Sequence, residues 1–183
     1  MTARDFYFQV VRPCYDEHKQ AMQALSDLWT ADRNSPSVPD AARRLHRRTM
    51  TAALWAYHLH EWVLLDQARP AVTVDPGRAE AYRGELIRLC PDFAVLRDAV
   101  DAYKHGALRN GARVPSIAGD VTTAAPAFGA LPWGEFDWHH RPQTTVPAPG
   151  GATGHRRSLE AILASVMAMW ADLDAKGEIP SGA

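Results

Sequence analysis

The chain has 183 residues, 46% of them hydrophobic and 22% charged, with a formal net charge of -1. That length and apolar share fit one helical domain, residues 1–183, with a core of its own. The near-neutral charge excludes the general attraction to nucleic acid that a strong basic excess provides, so any such contact has to come from a local patch.

The N-terminal MTARDFYFQVVRP lacks the apolar stretch behind a basic start that marks a secretory signal, and no run approaches the roughly 18 apolar residues a spanning helix needs. Cys14 and Cys90 sit in no metal or redox spacing and are expected as reduced thiols, so the reading is of a cytoplasmic protein with no membrane partner. Over residues 11–29 the positions Val11, Cys14, His18, Met22, Leu25 and Trp29 recur at helical steps, with Pro13 in the first turn. DRNSPSVPD, residues 32–40, reads as a linker that ends on a helix cap at Asp40.

The next helix spans residues 40–68 and stops before Pro70. Leu45, Thr49, Ala52, Ala56, Leu59 and Val63 form its main stripe. Trp55 and Trp62 form a second stripe, which would serve either the same core or a homodimer interface. AVTVDPG, residues 71–77, is a short extended piece and turn with Asp75 as a cap. Residues 78–105 carry the stripe Tyr82, Leu86, Leu89, Phe93, Leu96, Val100 and Tyr103, and Pro91 predicts a break at Leu89–Cys90 with a new helix starting on Pro91 and Asp92.

Residues 106–154 hold eight of the 12 glycines and six of the 13 prolines. The aromatics Phe128, Trp133, Phe136 and Trp138, with Leu131, favour an ordered lid or hairpin over a disordered linker. Arg113–Ile117 and Thr144–Pro147 are the extended runs that could pair. The last helix is expected over residues 157–176, capped at or near Ser158, with the stripe Leu159, Ile162, Leu163, Val166, Met169, Trp170 and Leu173, and Gly177 ends it. The sum is mainly all-α: a four- to five-helix bundle with a small β-hairpin or loop insertion between the last two helices.

The polar groups give three leads. RDAVDAYKHGALRN, residues 97–110, ends a helix on which Asp98, Asp101 and His105 share a face opposite the apolar stripe, with Arg97 and Lys104 on one flank. A solvated face matched to the helix dipole explains this pattern, and so does a site. His58 and Glu61 lie opposite the main stripe of the preceding helix, so a metal set of His58, Glu61, Asp98 and His105, holding a divalent ion, is the second reading. Third, Arg43, Arg44, His46, Arg47 and Arg48, or His155, Arg156 and Arg157, are local basic groups that double as a solvated helix start or face.

The helix end Asp101-x-x-Lys104-His105, followed by Gly106 and an extended segment, resembles uncharacterised bacterial proteins with a HEPN-like helical fold. In that superfamily an Arg upstream of a His near a helix end often forms a ribonuclease site. The resemblance implies metal-independent chemistry in which His105 moves a proton on a ribose 2′-hydroxyl and Arg97 or Arg109 steadies the phosphate, beside Asp101 and Lys104. It also implies a site built across a homodimer, with RNA as the partner and no cofactor. The functional readings are therefore a non-catalytic helical binding and interaction module, a HEPN-type ribonuclease, or a metal-binding bundle.

Overall fold

Thr2 and Asp5 start the first helix with a reciprocal capping box: each side chain accepts the other's backbone N–H, both at 3.0 Å. The computed structural model describes residues 1–69, 73–105, 118–125, 131–132, 134–135, 141–148 and 155–181. Helix α1, Ala3–Phe6, runs through a widened π-turn, Tyr7–Val11, into α2, Arg12–Ala31. Pro13 supplies the cause of the widening. It has no N–H to offer and its ring crowds the carbonyl four residues back. The ladder relaxes there, so that the Arg12 N–H reaches the Tyr7 carbonyl. The helix thus begins eight residues before the apolar spacing from Val11 predicts.

Helix α3, Val38–Ala68, is 31 residues long, about 46 Å at 1.5 Å per residue. It starts earlier than expected, with Ser37 at the cap position, Pro39 in the first turn, and Asp40 inside the helix rather than capping it. Every residue of its main stripe is buried. The second stripe is claimed from within the chain: Phe6 of α1 stacks on Trp62 with centroids 4.6 Å apart and meets Trp55 edge-on at 5.7 Å. This edge of α3 is therefore packed against the chain's own N-terminal segment, with both tryptophans partly buried.

Asp75 caps α4, Pro76–Leu89, through its Oδ2 and the Arg78 N–H at 2.9 Å. The break comes where Pro91 demands it: Cys90 is extended, and α5, Asp92–His105, begins immediately after. Two expected stripe residues point outward, Leu89 at 52% and Tyr103 at 45% exposure.

A three-stranded antiparallel sheet precedes the last helix, with strands β1 Thr122–Ala124, β2 Gln143–Pro147 and β3 Arg156–Ser158 in the order β1-β2-β3. Thr145 of β2 faces Thr122 on one side and Ser158 on the other. The strand expected over Thr144–Pro147 is present. Its partners are Thr122–Ala124 and Arg156–Ser158; Arg113–Ile117 lies outside the described residues, as do Arg109, Phe128, Trp133, Phe136 and Trp138. Arg156 and Arg157, expected at the start of a helix, belong to β3 instead.

Ser158 ends β3 and caps α6, Leu159–Ala175, by accepting the Ala161 N–H. Trp170 is fully buried and donates its indole N–H to the Ala56 carbonyl of α3 at 2.9 Å. Gly177, at φ 72°, closes a Schellman turn in which the Glu178 N–H reaches the Leu173 carbonyl. Residues just beyond it are tied down: Ile179 is buried and the Pro180 carbonyl accepts the Arg4 N–H. Among the described residues no helix is long and apolar enough to cross a membrane.

Candidate functional site

Helix α5 packs against α3 and directs one of its charged groups into the interior. Asp98 is buried at 8% exposure and its Oδ1 accepts from Arg97 Nε at 2.9 Å. This corrects the assignment of Asp98 to an open face. α5 is contacted by α3, α4, α6 and the short 3-10 turn Ala118–Asp120, so its buried arc is wider than the apolar stripe alone. An acid inside that arc needs a cation, and the neighbouring Arg97 supplies one.

Lys104 reaches across to α3, with Nζ 3.3 Å from His58 Nε2. His58 Nδ1 lies 3.1 Å from Glu61 Oε2. An ammonium only donates, so His58 accepts on Nε2 and donates from Nδ1. That hydrogen bond from His58 also lowers the Glu61 pKa. Tyr57, buried beside this line, has its phenol pushed up to about 12, first by burial and then by nearby Asp101.

Of the proposed catalytic group, Arg97, Asp101 and Lys104 lie along the α3–α5 seam, while His105 is exposed on the last helical residue. Seven residues separate Arg97 from His105, which places them about 80° apart on the helix. The proposed metal residues do not assemble: His58 and Glu61 pair with each other, Asp98 faces Arg97, and His105 is exposed. Among the described residues no group of three or more His, Cys, Asp and Glu side chains could hold a metal ion.

The sheet covers a second polar layer. His46 of α3 places Nδ1 3.0 Å from the Thr123 hydroxyl, which is 2.8 Å from that of Thr144. Arg141 and Glu160, both buried, pair at 3.2 Å, and the Thr144 N–H also reaches Glu160. Burial raises the Glu160 carboxyl. His18, at 2% exposure, is held at about 4 by burial first and by Arg141 second. Thr49 directs its single hydroxyl proton to the Leu45 carbonyl, so His18 Nδ1 is the donor in their 3.1 Å contact.

The basic groups separate into two kinds. Arg156 is absorbed by the sheet, donating to the Asp120 and Thr145 carbonyls and to the Thr122 and Thr145 hydroxyls. Arg157 bridges Asp92 at the start of α5 to Glu135. On α3 the arginines stay outside. Arg43 pairs with Asp40 and Arg48 with Glu17. Arg44 and Arg47 are exposed and make no ion pair among the described residues.

Arg44, Arg47, Arg48 and Thr51 line one open depression of about 570 Å³. Arg47 also lines a second, of about 500 Å³, with Pro39, Ala42, Arg43, His46 and Thr123. The arginine run was visible in the sequence. Arg43 pairs with an acid three residues away, but the pairing of Arg48 with Glu17 and the approach of Thr123 to this face join groups far apart in the chain. No protein-family model matches the chain, and neither does any curated protein or solved structure.

Proposed function

We propose that this chain is a non-catalytic binding module that takes the phosphate backbone of a nucleic acid on the first half of α3. The carrying observation is that Arg44 and Arg47 are exposed, free of ion pairs among the described residues, and line one depression with Arg48 and Thr51. Guanidinium groups offer paired N–H donors that match phosphate oxygens, and a threonine hydroxyl adds another donor. A chain of net charge -1 binds such a polymer only through a concentrated patch, and this run is one.

The non-catalytic part rests on α5. Arg97, the cation the ribonuclease reading would use at a phosphate, is engaged by buried Asp98, and Lys104 leans on His58.

Fluorescence anisotropy with a labelled single-stranded RNA tests the proposal. The expected affinity falls as salt rises, with a slope of roughly -0.7 per phosphate contacted. Arg44→Glu with Arg47→Glu should weaken binding at least tenfold and flatten that slope by about one to two contacts. Unchanged binding in the charge-reversed protein would remove the proposal. Cleavage of the RNA in the same incubation, lost in His105→Ala, would replace the non-catalytic reading with the ribonuclease one.

A further inference from the structure

Resting on that reading, we infer that the bound strand is single-stranded, with one unstacked base seated beside His46 and Tyr103 while its flanking phosphates lie on Arg44 and Arg47. The two depressions on α3 share Arg47 but differ in character. The first is lined by arginines and a hydroxyl. The second has Pro39 and Ala42 among its walls, with Arg43, His46, Arg47 and Thr123 around them. A backbone phosphate suits the first, and a flat, weakly polar ring suits the second.

Tyr103 adds the independent observation. It is 45% exposed, although it continues the apolar stripe of α5, and its ring lies 6.3 Å from that of His46. Tyr103 reaches the groove through His46, which lines it, and an exposed aromatic so placed is a surface on which single-stranded nucleic acids stack their bases. In a duplex both faces of each base are covered, so this platform has no use for one.

His46 is suited to meeting a base edge. Its Nδ1 is engaged by Thr123, and its other ring nitrogen has no hydrogen-bond partner among the described residues. Burial lowers its pKa, which keeps the ring neutral at pH 7 and leaves the charge of the site to the arginines.

The test compares three labelled probes on the full chain: a single-stranded RNA, the same strand annealed into a duplex, and an abasic strand of equal length. The expected order is single strand above both others. Tyr103→Ala should lower single-strand affinity about tenfold, the order of one lost stacking contact, and leave the abasic probe and the salt slope unchanged. His46→Gln should act in the same direction with a smaller loss.

Tyr103 is an exposed side chain at a helix end, so the variant tests binding rather than folding; a circular dichroism melt coinciding with the parent confirms that. Duplex bound as tightly as single strand, or equal losses on the abasic probe, would overturn the inference while leaving the phosphate-binding proposal in place. A parent protein that binds none of the three probes overturns both.

Discussion

His18 shows how one residue ties stability to pH. Its pKa in the folded chain is about 4, against 6.5 when solvated. Between those values the unfolded chain takes up a proton that the native chain refuses. Stability is therefore intact above pH 6.5 and declines as the pH falls towards 4. At ~1.4 kcal/mol per unit, the gap is worth roughly 3 kcal/mol by pH 4.

The measurement is the urea midpoint across that range for the parent and for His18→Gln, which can still donate to Thr49 without titrating. The variant should show a shallower acid loss; parallel curves would refute the assignment. Burial also lowers His46 and His60, so both add loss of the same sign. His60 is fully buried, donates from Nδ1 to the Tyr57 carbonyl at 2.6 Å, and its Nε2, near the Phe93 ring, has no hydrogen-bond partner among the described residues.

At the scale of elements, several helix boundaries have a local chemical cause. Thr2 with Asp5, Asp75 and Ser158 are side-chain caps, Pro91 enforces the α4–α5 break, and Gly177 closes the last helix. Gly84 is the exception, a glycine inside α4 with no cap or turn to serve. Its backbone is not in the left-handed region, it is exposed, and an added Cβ meets no atom within 4 Å. Gly84→Ala should therefore raise stability by about 0.5–1 kcal/mol, read as a higher midpoint in chemical unfolding with an unchanged slope. A lower midpoint would mean that α4 is not a regular helix there.

The molecule as a whole is joined by long-range contacts that no single element contains. Phe6 covers the Trp55 and Trp62 edge of α3, Trp170 anchors α6 to the Ala56 carbonyl, and Arg157 ties β3 to the start of α5. The buried Arg141–Glu160 pair fastens the segment leading into β2 to α6. Arg141→Met would leave a buried carboxylate without its cation and should cost about 3–5 kcal/mol at pH 7, while Arg141→Met with Glu160→Met should recover most of that loss. Thermal melts of the two variants decide it, and equal destabilisation in both would show that the pair is not coupled.

The candidate interface also exists only at this scale. Arg44 and Arg47 come from α3, Thr123 from β1 and Tyr103 from the end of α5.

Much of this was determined by the sequence alone. Helical spacing, proline positions and caps are interactions within a few residues, so α2 to α6, the break at Pro91 and the cap at Ser158 were legible in it. The start at Thr2 was legible too, in the spacing of Thr2 and Asp5, but the apolar period from Val11 obscured it. Tertiary structure alone decided what covers each face. Periodicity shows that Trp55 and Trp62 share an edge, not that Phe6 lies on it. A wheel places Asp98 opposite the stripe, but α5 is packed on several sides and buries it. The arginine run was plain as composition. Arg43 has its partner Asp40 on the same helix, but the pairing of Arg48 waited on Glu17 of α2, because the strength of a charge depends on which groups the fold brings within a few ångströms of it.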